Sequence, residues 1–178
     1  MSPSDSSTWL DAQQHRAVAA AMDLVIPSDG VSPGAGQAGG ADYVDALLGA
    51  FAADPPRVWA GGPFSGRHGG RADFEHLLEL GPWEALAWRT RIEAWQAVYT
   101  TGLTALGDDF ADADGAARAE RLSNTDDEFR DLLFTHACES LYGDPVYGGN
   151  RDRAAWAAID FRGDSQPAGY TDDEVTHP

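Results

Sequence analysis

The chain has 178 residues, of which 43% are hydrophobic and 23% are charged, and this composition is typical of a folded globular protein. Its charge is unusual, because 12 basic residues, all of them Arg, stand against 29 acidic residues and give a formal net charge of -17. So acidic a chain repels polyanions, and we expect it to bind neither nucleic acid nor an anionic membrane surface. The single cysteine, Cys138, excludes an intramolecular disulfide and a thiolate zinc site within the chain.

The length fits one domain, and we expect a single helical domain over residues 1–178 with flexible ends at 1–7 and 171–178. The first residues contain neither a basic region nor an apolar core, so no signal peptide is expected. No apolar run approaches the roughly 18 residues that a membrane-spanning helix needs. These features predict a cytoplasmic protein, unless a leader was removed or a partner carries the chain to the periplasm or beyond.

Helical periodicity dominates the chain. Four substantial segments place apolar residues at helical spacing, and these main helices are predicted at about 8–26, 41–53, 81–106 and 125–141, with short helices near 73–80, 115–122 and 153–159. Ser6, Ser7 and Thr8 are candidate N-caps of the first helix, and Thr125 with Glu128 forms a capping-box pattern before the fourth. No stretch has a convincing strand pattern, so the predicted fold is all-α, with an irregular C-terminal tail.

Two long segments rich in glycine and aromatic residues interrupt the helices, at 57–71 and at 142–152. Loops of this length inside a compact domain are uncommon and are often functional. In the second loop, Gly148 and Gly149 permit a positive φ or a close backbone approach, and Asn150 fits an Asx-turn. We expect a rigid loop that is either a recognition surface or a tight structural element.

Most of the six tryptophans are expected in the core. Trp59 and Trp156 lie in or beside the two loops, where an aromatic side chain is as suited to anchoring an interface as to filling a core. Arg89 and Arg91 on the long helix are expected to form solvated ion pairs with acidic neighbours on the same helix.

His136 and Glu139 lie three residues apart on one predicted helix and therefore on one of its faces. A helical di-iron site needs two Glu-x-x-His pairs and two further Glu residues, which this chain does not offer in that order. We therefore expect no metal site and predict that His136 forms a hydrogen bond in the core or at an interface. The chain also lacks a nucleophile elbow, a dinucleotide fingerprint and a P-loop. No catalytic, cofactor-binding or metal-binding residue is assigned.

Two segments carry a resemblance to a known family. The run Asp144-Pro-Val-Tyr-Gly-Gly-Asn-Arg-Asp152, with Trp156, Ile159 and Phe161-Arg-Gly163 after it, resembles the C-terminal signature of the gluconate 2-dehydrogenase subunit 3 family. The segment Leu24-Val-Ile-Pro-Ser-Asp29, with Gly34-Ala35, Gly39 and Tyr43-Val44-Asp45, is similar to the N-terminal motif of that family. The resemblance covers roughly residues 9–170.

The resemblance implies a small accessory subunit paired with a large flavin-containing subunit of the glucose-methanol-choline oxidoreductase type. Such a partner oxidises a sugar, a sugar acid or another alcohol and passes electrons to a cytochrome or another acceptor. FAD is accordingly expected in the partner and no cofactor in this chain, whose role would be maturation, stability or export of the partner. Many relatives carry a twin-arginine leader, which this chain does not show, and no catalytic residue carries over.

The resemblance also implies a structural or contact role for part of the second loop and the helix after it: Pro145, Tyr147, Gly148, Gly149, Asn150, Asp152 and Trp156. Because both loops are expected to face the large subunit, the predicted interface also includes Trp59, Phe64, Arg67 and Arg151. Two other functions stay open. One is a stand-alone helical enzyme that uses His136, Glu139 or His68, and the other is a small binding or salt-tolerance protein adapted through its acidic surface.

Overall fold

A computed structural model describes residues 8–61, 64–65, 72–73 and 78–161 of the chain. Its α-helices are α1 (Ala12–Val25), α2 (Gly40–Leu48), α3 (Pro82–Leu106), α4 (Gly115–Ser123), α5 (Asp127–Tyr142) and α6 (Ala154–Ala158). The compact all-α fold predicted from the sequence is confirmed. The ends expected to be flexible, 1–7 and 171–178, lie outside the described residues.

The first helix begins later than its sequence pattern predicts. Asp11, and not Thr8, is the N-cap residue of α1, and its carboxylate accepts hydrogen bonds of 2.8 Å from the backbone N–H groups of Gln13 and Gln14. The side chain of Gln14 accepts in return from the backbone N–H of Asp11 at 3.0 Å. This reciprocal capping box satisfies donors that the first turn of a helix would otherwise leave unpaired.

The predicted capping box at the fourth main helix is wrong. Asp126 is the N-cap residue of α5, and the buried hydroxyl of Thr125 donates to the carbonyl oxygen of Leu122 at 2.7 Å. Thr125 therefore closes the C-terminal end of α4, which lies only a few residues before α5. The short connection between the two helices places this side chain against the helix that ends rather than the helix that begins.

The short helix predicted at 73–80 is also wrong, because residues 72–73 and 78–79 are extended. Strand β1 (Trp59–Gly61) pairs antiparallel with β4 (Leu78–Glu79), and β2 (Phe64–Ser65) pairs antiparallel with β3 (Ala72–Asp73). An isolated helix of eight residues is marginal in water, whereas pairing across a ribbon satisfies the backbone groups of both strands. The two ribbons are small additions to a helical body.

The core lies between α1, α2, α3 and α5, whose apolar sides meet around fully buried residues such as Val18, Met22, Val44 and Leu133. Gly102 allows α3 to approach α5 closely, because a Cβ at this position would overlap the ring of Phe129. The first half of α3 packs against a second, smaller apolar cluster. None of the helices in the described part of the chain combines the length and the apolarity needed to cross a membrane.

Candidate partner interface

The fold brings together the two segments that carry the family resemblance. The backbone N–H of Arg151, in the C-terminal segment, donates to the carbonyl oxygen of Ala38, in the N-terminal segment, at 2.8 Å. Where the segments cross, Gly39 lies so close to Gly148 that a Cβ on Gly39 would stand 3.0 Å from the Gly148 carbonyl oxygen. Segments more than 100 residues apart in sequence therefore form one structural unit.

The two glycines of the second loop show the two features that the sequence permits there, a positive φ and a close backbone approach. Gly148 has φ 103°, in the left-handed region that favours glycine. Gly149 has no such φ, but a Cβ at this position would overlap the carbonyl oxygen of Ser140 on α5. Gly148 therefore turns the chain, and Gly149 seats it directly on the backbone of α5.

Asn150 holds the loop from inside. Its side chain is fully buried and its φ is 45°, a left-handed conformation that Asn tolerates better than most residues. The Asn150 side-chain amide donates to the carbonyl oxygen of Gly143 at 3.2 Å and accepts from the backbone N–H of Ala155 at 3.2 Å. One side chain thus connects the end of α5 to the beginning of α6.

Trp156 packs within the chain. It is 5% exposed, and its indole N–H donates to the carbonyl oxygen of Tyr142 at 2.8 Å. The ring of Phe161 meets it edge-to-face with centroids 5.0 Å apart. The structure therefore gives Trp156 a packing role, and its contribution to a partner interface stays a prediction.

The residues that the second loop offers to a partner are Tyr147, Arg151 and Asp152, which are all exposed, beside the half-buried Pro145. The guanidinium of Arg151 donates to the carboxylate of Asp42 at 2.7 Å, and this holds the loop to α2. The loop therefore presents a fixed surface of a few side chains.

The first loop contributes less to the described surface. Trp59 lies in β1 and Phe64 in β2, whereas Arg67 and His68 lie outside the described residues. Strand β2 runs beside the 3-10 turn Pro145–Tyr147, so these parts of the two loops are neighbours in the fold. Whether they contact a partner stays a prediction.

His136 is a core residue, as one of the two sequence readings predicted. It is fully buried on α5, and its Nδ1 lies 3.1 Å from the hydroxyl of Tyr99 on α3. The ring of Tyr99 stacks on it, and the ring of Trp95 stands nearly perpendicular with its centroid 4.9 Å away. Burial lowers the pKa of His136 to about 4, so the imidazole is neutral at pH 7. Its Nε2 has no hydrogen-bond partner among the described residues.

Glu139 does not join His136 in a site. Its exposed carboxylate accepts a hydrogen bond of 2.8 Å from the hydroxyl of Tyr43 on α2. Burial, followed by the charge of Glu139 and this hydrogen bond, raises the pKa of Tyr43 above its ordinary value. The structure thus places His136 in the core and Glu139 at the surface. Within the described residues, no three His, Cys, Asp or Glu side chains are grouped so that they could hold a metal ion.

The sequence analysis did not predict two features of the surface, a pair of exposed apolar side chains and a groove. Trp83 and Leu86, on the first turns of α3, are 83% and 55% exposed, although most tryptophans were expected in the core. Beside them, a groove of about 300 Å³ runs between α3 and the end of α2, and its lining includes Trp9, Phe51, Arg89 and Gln96. The available signal was that α3 has apolar residues on more than one side, a pattern typical of a helix covered from two directions.

The family model for gluconate 2-dehydrogenase subunit 3 matches residues 12–163 of the 178. The chain belongs to this family. The matched range contains both segments that meet in the fold and all of α1 to α6. The family is that of a subunit of a multi-subunit gluconate dehydrogenase, which implies partner chains. Comparison with curated proteins and with solved structures found no significant match.

Proposed function

We propose that this chain is a non-catalytic subunit that binds a large FAD-dependent dehydrogenase and stabilises or matures it. The large subunit would oxidise an alcohol, a sugar or a sugar acid of the gluconate type. The observation that carries the proposal is the family match over residues 12–163, because the family is defined as one subunit of a larger enzyme.

The geometry of His136 and Glu139 favours this function over a stand-alone enzyme that uses them. A catalytic base must come within hydrogen-bond reach of its substrate, and the fully buried His136 already faces the Tyr99 hydroxyl. Its pKa of about 4 also lies far below the value near 7 that suits a base at neutral pH. The carboxylate of Glu139 is in turn engaged by Tyr43.

The second loop supports a binding role. Because Gly149, Asn150 and Trp156 fix it from inside, the backbone of the loop loses little conformational entropy when a partner binds. We place FAD in the large subunit, with electrons leaving it for a cytochrome or another acceptor. The present chain would then act through the folding and stability of that subunit.

The test is co-expression with the large flavin-dependent subunit encoded in the same genome, with an affinity tag on the large subunit. We expect this chain to co-elute in a fixed ratio, and we expect less soluble, less flavin-loaded large subunit when it is omitted. Two proteins that elute separately, with the large subunit equally soluble and equally loaded in both cases, would contradict the proposal.

A further inference from the structure

Helix α3 has an outer face that the other described residues of the chain leave uncovered. Its inner face is buried at Ile92, Tyr99, Leu103 and Leu106. Opposite to it runs a line of residues at helical spacing, which we call the outer stripe: Trp83, Leu86, Thr90, Ala94, Ala97 and Thr101. All six are exposed and none is charged. A helix that carries an uncharged line of residues on its solvent side, opposite its core side, is suited to being covered from both sides.

The exposed side of α5 carries more charge than the outer stripe of α3. Its exposed positions include Asp127, Glu128, Asp131 and Glu139, in keeping with the net charge of -17, and also the aromatic residues Phe134 and Tyr142. The 25 residues of α3 contain two acidic and two basic side chains, and none of these lies on the outer stripe. Depletion of charge is a mark of the central part of a protein interface.

Three of the four charged side chains of α3 are engaged beside the stripe, and the fourth, Glu93, lines the groove between α3 and the end of α2. The guanidinium of Arg89 lies 4.5 Å from the ring centroid of Phe51, and that of Arg91 lies 5.0 Å from the ring of Trp88. The carboxylate of Glu84 accepts from the backbone N–H of Gly81 at 2.8 Å and so helps to cap the helix. Within the described residues, Arg89 and Arg91 show these contacts and not the solvated ion pairs that were predicted for them.

The polar atoms of the stripe are suited to burial. The hydroxyl of Thr90 donates to the carbonyl oxygen of Leu86 at 3.0 Å. One turn beyond the stripe, the hydroxyl of Thr104 likewise donates to the backbone carbonyl oxygen of Thr100 at 2.7 Å. A buried hydroxyl without a partner is costly, but a hydroxyl that donates to its own helix keeps its bond when water leaves. A partner can therefore cover the methyl group of Thr90 while the hydroxyl of Thr90 keeps its hydrogen bond within the helix.

We propose that the outer stripe is the surface by which this chain docks onto the large subunit, against an uncharged helix face or apolar patch of that subunit. The inference rests on the proposed function and adds the surface and the chemistry of the contact. A second copy of this chain is a poorer occupant, because each copy brings a net charge of -17. A partner with a different sequence need not carry the same large negative charge, so this repulsion does not follow for it.

The area of the contact also favours a large partner. Helix α3 is about 37 Å long, from 25 residues at about 1.5 Å each, and its face is about 10 Å wide. The area of this face, which is the product of its length and its width, is less than the roughly 800 Å² that each side of a stable complex usually buries. The groove between α3 and the end of α2 lies next to the stripe and extends the surface. A partner must therefore extend beyond α3 and the groove to reach the usual area, which a large subunit can do.

The test measures the affinity of the full chain for the large subunit in four variants. Trp83→Ala and Ala94→Glu alter the outer stripe, and Phe134→Ala and Ala119→Glu make the same kinds of change at exposed positions of α5 and α4. We expect both stripe variants to weaken binding by at least about 30-fold, as loss of an interface hot spot does. We expect the two controls to stay within about threefold, and the melting temperature of all four free proteins to change little.

The outcomes separate the two proposals. Wild-type binding that survives both stripe changes overturns the docking surface and leaves the proposed function intact. Absence of wild-type binding overturns both. If the free chain sediments as a dimer that Ala94→Glu dissociates, the occupant is a second copy and the assignment to the large subunit is wrong.

Discussion

Helix α6, which follows the second loop, and helix α3 each carry a tryptophan, and the two side chains differ in exposure. The segment that runs from the second loop into α6 has the more distinctive sequence, yet Trp156 on α6 is 5% exposed and donates to the carbonyl oxygen of Tyr142. Helix α3 has an ordinary helical pattern, yet its Trp83 is 83% exposed. A distinctive motif can therefore specify how the chain folds, while the surface proposed for the partner lies on α3, whose sequence is an ordinary helical pattern.

The largest expected effect separates these two tryptophans. Trp156→Ala should lower the free energy of unfolding by about 4 kcal/mol, because it empties a packed site and removes the hydrogen bond to Tyr142. Trp83→Ala should change it by less than about 0.5 kcal/mol, since the side chain is mostly in water. Urea unfolding of the isolated chain measures both. If Trp156→Ala leaves stability unchanged and abolishes complex formation, Trp156 is an interface anchor and the contrast is lost.

The next effect tests whether the second loop is seated on α5. Gly149→Ala should lower the free energy of unfolding by about 3 kcal/mol, because the new methyl group meets the backbone carbonyl of Ser140 and either the loop or α5 must shift. Gly115→Ala, at the first residue of α4, is the matched control. Nothing lies within 4 Å of its Cβ position, so stability there should stay the same or rise by up to about 1 kcal/mol. Equal effects at the two glycines would show that the loop is not packed as described.

The inner face of α3 can be tested by pH, because His136 lies between Tyr99 and Trp95 of this helix. Its pKa is about 4 in the folded chain and about 6.5 when unfolded, so the unfolded state binds the extra proton first. Stability from this residue is therefore complete above about pH 6.5 and falls by about 3 kcal/mol as the pH drops to 4. Urea unfolding between pH 7 and pH 4.5 should show this loss.

The control for that measurement is His136→Phe, which removes the titrating group from the same aromatic surroundings. Its pH dependence over this window should be flatter than that of the wild type. Asp29 and Asp109 also have lowered pKa values, through hydrogen bonds from backbone groups and from Arg121 respectively, but their stabilising effect is lost only at more acidic pH. An identical slope in both proteins would mean that water reaches His136 and that the inner face of α3 is not dry.

Sequence reading predicted the helical framework because apolar periodicity is a local signal. It correctly placed α3, α4 and the positive φ of Gly148, since Pro82, the helical pattern and the Gly-Gly pair act on their own neighbours. It failed at Thr125, whose hydroxyl had two helix ends within reach. It failed for the helix predicted at 73–80, because the pairing of residues 72–73 with 64–65 and of 78–79 with 59–61 is a contact that no local pattern records.

The candidate interface was less predictable for the same reason. Periodicity shows that Trp83 and Trp95 lie on α3, but not which of them another helix covers. The burial of His136 depends on Tyr99, which is 37 residues away in sequence. The family motifs marked two segments of the chain. The structure shows that residues of these motifs hold the N-terminal and C-terminal segments together.

The smallest expected effect concerns the threonines of α3 and decides whether their hydroxyls serve the helix or the partner. Thr90→Val replaces the hydroxyl with a methyl group of similar size, and because that hydroxyl donates to Leu86 within the helix, a partner has no need of it. We expect the free energy of unfolding to change by less than about 0.5 kcal/mol. The affinity for the large subunit should stay within about threefold, whereas Thr90→Glu at the same position should abolish it, because a charge would enter a dry contact. A Thr90→Val variant that binds more than tenfold more weakly would mean that the hydroxyl turns from the carbonyl of Leu86 to the partner, and the outer stripe would then be a polar contact surface rather than an apolar one.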